Sequence, residues 1–232
     1  MKEQSELTKP TDIGENLQII KSRIEKAAIA SGRDSSAITI LGAVKSVSIE
    51  TIQTVFTLGV DHFGDNYVQE AKRKKDMLAQ VGINAKWHMI GHLQTNKVKD
   101  IFGLFDVIET VDSLRIGETI ARKAVSQPMP IMLEVNVAQE PTKFGFTTQE
   151  VTSAYRNLKR LPELSIVGLM TIAPEVSNPE EVRPIFHSLR QLRDDLGLQE
   201  LSMGMTNDFE VAIQEGATIV RIGRALFGPR HL

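Results

Sequence analysis

Eight short apolar runs recur along the chain, and nearly every one is followed by a segment with helical spacing. The runs are Ile38–Ser46, His62–Asn66, Lys86–Gly91, Asp106–Val111, Pro130–Val137, Leu164–Ile172, Leu201–Thr206 and Thr218–Ile222. Between them the spacing predicts helices over Ile49–Leu58, Tyr67–Gln80, Thr95–Phe102, from a Ser113 cap to Val125, from Phe146 to Arg160, and over Pro179–Leu196 and Asn207–Glu215. A final turn or helix covers Gly223–Phe227. A helix between two strands imposes a crossover, so the strands run parallel. Runs that are mostly apolar on both faces fit a sheet covered on both sides. Eight such units fit a closed (β/α)8 TIM barrel, an α/β fold that takes about 200–250 residues. An open doubly wound sheet is the alternative, but the Gly-x-Gly-x-x-Gly turn expected after its first strand is absent. Ahead of the barrel, Ile13, Leu17, Ile20, Ile24 and Ala28 lie three or four apart and predict an extra N-terminal helix closed by Gly32. Residues 1–11 are polar and are expected to form a mobile tail on one domain spanning 1–232.

Composition removes several classes of function. The net charge of −2, from 27 basic and 29 acidic residues, gives no electrostatic case for nucleic acid or a membrane surface. With no cysteine there is no disulfide, thiolate nucleophile or cysteine-based zinc site. No apolar run approaches the roughly 20 residues of a membrane span. The N-terminus lacks the apolar core of a signal peptide, so a cytoplasmic protein is expected.

In a barrel the chemistry collects at the C-terminal ends of the strands. Those ends carry Lys45, Asn66, His88, Glu134 with Asn136, Met170 with Thr171, Thr206, and Arg221 with Gly223. Lys45 ends the first strand. Read alone, it is either the first residue of a solvated loop or an amine whose lowered pKa suits attack on an aldehyde. The last two strands run into glycine-containing junctions, Met203-Gly204-Met205-Thr206 and Arg221-Ile222-Gly223-Arg224. Backbone amides at such junctions can cradle an anion, and these are the loops where barrels often bind phosphate. Gly204 and Gly223 are equally consistent with tight packing. An amine facing a phosphate cradle nevertheless suggests a phosphorylated aldehyde, with pyridoxal phosphate (PLP) the candidate. His88 and His92 lack metal-ligand spacing on one element, and no nucleophile elbow supports a hydrolase triad.

Several separate stretches carry a resemblance. They are HFGDNYVQEA at His62–Ala71, WHMIGHLQTNKVK at Trp87–Lys99, VNVAQEPTKFGF at Val135–Phe146, GLMTIAP at Gly168–Pro174, LSMGMTNDFEVAIQEGAT at Leu201–Thr218 and VRIGRALFGPR at Val220–Arg230. From about Ile38 to Arg230 the chain resembles the pyridoxal phosphate homeostasis protein family. The resemblance implies a single barrel of PLP fold type III, similar to the barrel domain of alanine racemase. It implies that Lys45 carries the cofactor as a Schiff base, that Asn66 lies near the pyridine ring, and that Thr206, Arg221 and Gly223 hold the phosphate or the ring. Met203 and Ser202 lie close by. Three positions depart from the family pattern: Val44 for serine, Asp65 for glutamate, and Arg224 for a small hydroxyl residue after Arg-Ile-Gly. Arg224 could pair with the phosphate dianion or point to water, and the first is favoured.

The resemblance further implies a non-enzymatic protein that stores or delivers PLP, with PLP-dependent apo-enzymes as possible recipients. Racemases of this barrel type add an all-β domain that brings a tyrosine to the cofactor across a dimer. This chain ends at Leu232 and has two tyrosines, Tyr67 and Tyr155, the second on a helix expected to face outward. A monomer without robust catalysis is therefore expected. The alternatives are a small PLP-dependent racemase or decarboxylase, and a Schiff-base aldolase acting directly through Lys45. Other residues take plain readings. Lys143 is a solvated loop lysine, Trp87 is core, and His88 and His92 serve packing or hydrogen bonding. Lys97 and Lys99 face water, and Lys72–Lys75 form a solvated helix face.

Overall fold

A computed structural model describes residues 12–124 and 127–228. The tail expected over residues 1–11 and the helix end expected at Val125 lie outside the described residues. Eight strands close a parallel barrel in sequence order: β1 Thr39–Ala43, β2 His62–Asp65, β3 Lys86–Met89, β4 Val107–Val111, β5 Met129–Glu134, β6 Leu164–Met170, β7 Glu200–Ser202 and β8 Ile219–Ile222. Closure is direct, since β1 pairs with β8 in the register Leu41↔Arg221 and Gly42↔Ile222. The fold is the expected (β/α)8 barrel.

Among the described residues eight α-helices accompany it: α1 Ile13–Ala30, α2 Ile49–Thr57, α3 Val68–Gln80, α4 Leu114–Lys123, α5 Val151–Leu158, α6 Arg183–Leu196, α7 Phe209–Gln214 and α8 Arg224–Phe227. The expected N-terminal helix is α1, capped by Asp12, whose carboxylate accepts from the Gly14 and Glu15 amides at 2.8 and 3.2 Å. It does the work that the four-residue α8 is too short to do. It packs on α7 and α8, pairs Arg23 with Glu210 at 2.6 Å, and sends the Asn16 amide to the Leu226 carbonyl at 3.1 Å. Ser113 caps α4 as expected. The segment expected as one helix from Pro179 opens with a 3₁₀ turn, Pro179–Val182, before α6.

Two cores result. The larger fills the space between sheet and helices; a small interior plug is formed by Leu41, Met132, Met170 and Ile219. Several expectations need correction, among them the helix expected over Thr95–Phe102, which is a 3₁₀ turn at Thr95–Asp100. The first strand ends at Ala43 rather than Ser46, because the chain turns there: the Val47 amide returns to the Val44 carbonyl at 3.0 Å and Ser46 takes φ 61°. The basic run Lys72–Lys75 is not uniformly solvated, since Lys74 is 1% exposed and bonded to Asp65. Tyr155 does not face outward; it packs in the outer core beside Ala154 and Leu158. Helical periodicity places a residue on a face but does not say what covers that face.

Candidate cofactor site at the barrel mouth

The mouth is built by the turns that follow the strands. Lys45 sits two residues past β1, half-buried, with its Nζ 5.2 Å from the centroid of the Tyr67 ring. Among the described residues it makes no hydrogen bond or ion pair, so its amine is free to react. Asn66 follows β2 directly and is half-buried. It is backed by Gly91, where a Cβ would overlap the Asn66 carbonyl and lie 2.6 Å from its Cα. Only glycine lets the end of β3 approach Asn66 this closely.

Arg221 enters from β8 and is 5% exposed. Its guanidinium donates to Ser202 Oγ and to the Thr171 carbonyl, both at 2.8 Å. Ser202 in turn donates to Glu109 Oε2 at 2.6 Å, and Glu109 Oε1 lies 2.7 Å from His88 Nδ1. His88 Nε2 meets His62 Nδ1 at 3.0 Å. An unbroken polar chain thus crosses an interior that barrels normally fill with apolar layers. Burial alone would raise the Glu109 pKa, but the His88 contact, Arg221 and Ser202 outweigh it and hold the carboxyl below its usual range. For Arg221, burial lowers the pKa, opposed by Glu109, Asp208 and Glu134. Glu109 is therefore the fixed counter-charge that lets a guanidinium stay buried on the floor of the mouth.

The rim comes from the loops after β7 and β8. Gly204, at φ 90°, packs on α7, where a Cβ would lie 2.6 Å from that of Ala212. Thr206 Oγ1 accepts from the Ala225 amide at 3.2 Å and ties the two loops together. Gly223 is uncrowded: a Cβ there would meet nothing closer than Ala43 at 3.7 Å. Arg224 is exposed and reaches Glu175 at 3.3 Å. Met203 is fully buried in the outer core, so it can serve the site through its backbone alone. The structure thus gathers Lys45, Asn66, Thr206, Arg221, Gly223 and Arg224 around one opening and turns the Met203 side chain away from it.

From sequence, Glu134 is one more polar residue at a strand end, with no role assigned. It is 6% exposed, and its carboxyl has no hydrogen-bond partner among the described residues. Burial and the nearby Asp112 push its pKa up to about 7, against the pull of Arg221 and Lys143. Glu109 was not singled out in the sequence. The available signal was charge: an acid in β4 and a base in β8, both inside buried parallel strands, have to find each other. A cleft of about 740 Å³ opens at the other end, between α1 and the starts of β1 and β2. Its lining includes His62 but neither Lys45 nor Arg221, so the chemistry is assigned to the mouth.

Comparison with known proteins agrees with this geometry. The family described as "Alanine racemase, N-terminal domain" matches residues 14–231. Among curated proteins, the pyridoxal phosphate homeostasis protein of Aquifex aeolicus is 42% identical over 224 residues, covering 93% of this chain and 97% of that one. That of Pseudomonas aeruginosa is 39% identical over 222 residues, covering 94% and 96%. The chain belongs to the pyridoxal phosphate homeostasis protein family. Among solved structures, PipY of Synechococcus elongatus with PLP bound superposes with a TM-score of 0.82 at 30% identity, over 94% of this chain and 100% of that one. An alanine racemase from Clostridium difficile gives 0.70 at 15% identity, over 94% of this chain and 57% of that one, and shows the shared fold.

Proposed function

We propose that this protein binds PLP at the barrel mouth as a Schiff base on Lys45 and acts as a carrier in vitamin B6 and amino/keto-acid homeostasis, without robust catalysis. The observation that carries this reading is the pairing of β1 with β8. It sets the unengaged Lys45 amine above the turn of one strand and the pre-fixed Arg221 guanidinium on its neighbour. Condensation of the amine with the cofactor's aldehyde releases one water. When bound, PLP supplies an electrophilic aldehyde that can be passed to another amine.

The chain's own residues divide the work. Arg221 on the floor faces the ring, while Thr206, Gly223 and the exposed Arg224 on the rim receive the phosphate. Asn66 orients the ring from β2, and Met203 contributes backbone alone. A guanidinium donates hydrogen bonds but does not release a proton near neutral pH, so Arg221 leaves a ring nitrogen unprotonated. The relatives named as homeostasis proteins support the same reading. Recipients would be PLP-dependent apo-enzymes, and the protein would work as a monomer.

One observation favours a second reading. The Tyr67 phenol stands half-exposed beside Lys45, at the position of a possible proton donor. A weak amino-acid racemase would exchange the α-proton of an added amino acid in deuterated buffer, and a carrier would not. The test of the main reading is the visible spectrum with added PLP, followed by borohydride reduction and peptide mass analysis. The expected result is absorbance above that of free PLP and a pyridoxyl group on Lys45, absent from Lys45→Ala. No adduct on Lys45 in the unaltered protein would overturn the reading.

A further inference from the structure

Behind the mouth, on the outer side of the barrel wall, lies an ion pair that the cofactor reading does not use. Lys74 Nζ is 2.6 Å from Asp65 Oδ2, with side chains 1% and 0% exposed. Each partner has a second bond to backbone. Lys74 Nζ donates to the Val44 carbonyl at 2.7 Å, and Asp65 Oδ1 accepts from the Tyr67 amide at 3.1 Å. Glu70 stands 3.4 Å from the same ammonium. The pair therefore grips the chain immediately before Lys45 and immediately after Asn66.

The grip falls where the sheet stops holding the chain. The last bond between β1 and β2 joins the Val44 amide to the Gly64 carbonyl at 2.9 Å. Beyond it, Lys45 and Ser46 turn away, and Ser46 takes φ 61°, a conformation uncommon for a non-glycine residue. Tyr67, whose ring centroid lies 5.2 Å from Lys45 Nζ, is half-exposed and leaves β2 through Asn66. Stability gives a poor account of the pair. A buried ion pair is often replaceable by apolar side chains without loss. This one instead directs its remaining bonds to the backbone of two loops.

We propose that Lys74, paired with Asp65, is a positioning residue that fixes Lys45, Asn66 and Tyr67 relative to one another across the β1 and β2 turns. The proposal rests on Lys45 being the cofactor lysine. Lys74 does not touch the cofactor; it acts through Val44 and Asp65.

The test compares the full-length protein with Asp65→Asn/Lys74→Met, which removes both charges together, and with Asp65→Glu, which keeps the pair. Two quantities are read on protein shown to unfold cooperatively. One is amide hydrogen exchange at Tyr67 and Val47 in cofactor-free protein. The other is the rate at which added PLP becomes trappable by borohydride on Lys45. In the double variant the Tyr67 amide exchanges about tenfold faster and Lys45 capture slows about tenfold, while Asp65→Glu stays within about twofold of the parent on both. If the double variant does not fold, Asp65→Asn/Lys74→Gln, which leaves no buried charge unpaired and keeps an N–H donor for Val44, is read the same way, with changes of about threefold expected. A folded variant that matches the parent on both readouts overturns the proposal. If the parent itself gives no Lys45 adduct, the cofactor reading fails. The exchange comparison then still decides whether the pair fixes the turns: unchanged exchange overturns that, and faster exchange upholds it.

Discussion

Glu134 gives a quantitative test of the mouth's electrostatics. Its carboxyl is buried at the C-terminal end of β5 and faces a barrel interior in which Arg221 is already countered by Glu109. Burial and Asp112 raise its pKa from 4.5 to about 7. The folded protein therefore holds the Glu134 proton to higher pH than the unfolded chain does. The stability that this confers is complete below pH 4.5 and is lost as pH rises to about 7. At about 1.36 kcal/mol for each tenfold change in proton concentration, that interval is worth about 3 kcal/mol. Glu134→Gln has no proton to lose. Urea denaturation of cofactor-free protein should show the variant matching the parent near pH 4.5 and gaining through pH 6. Above pH 8 it should lead by about 3 kcal/mol. A difference that is flat between pH 5 and pH 9 would refute the argument, because Glu134 would then titrate alike in both states.

Other consequences follow from single contacts. Gly91→Ala places a Cβ 2.6 Å from the Asn66 Cα, so thermal unfolding should register a loss of about 2–3 kcal/mol, together with weaker PLP retention, because backbone has to move. Ser202→Ala strips a bond from Arg221 and another from Glu109, and denaturation should show a loss of about 2–3 kcal/mol with a shifted absorbance of bound PLP. Arg224→Ala breaks an exposed pair with Glu175 and should change stability by under about 0.5 kcal/mol. Spectroscopic titration of the same variant should show PLP affinity reduced several-fold, and raised salt should narrow the gap. Equal affinity at low salt would remove Arg224 from the phosphate site.

Much of the fold could be read from local pattern. Apolar runs alternating with helical spacing specify strands, helices and their parallel order, because period and crossover length are properties of neighbouring residues. Lys45 could be placed at the mouth from the first run alone, since strand ends are where barrels collect chemistry, but its proposed role rests on the family resemblance. The glycine-bearing junctions of the last two runs put Thr206, Arg221 and Gly223 at the same end, and the family resemblance supplied the roles proposed for them. Strand ends were read too long at Ser46, since a turn made by one φ of 61° leaves no mark on hydrophobicity.

What the tertiary structure alone decided depends on pairs far apart in the chain. Closure brings β1 beside β8, so Lys45 and Arg221 share a mouth although most of the chain lies between them. Glu109 and Arg221 stabilise each other inside the barrel only because β4 and β8 face across it. Lys74 looked like one more basic residue on a wet helix, and Tyr155 like a surface tyrosine; helix-to-sheet packing buried both. A buried charge such as Arg221 is stabilised by partners that the folded barrel brings to it, and for Glu109 and Arg221 that meeting is written in no local stretch of sequence.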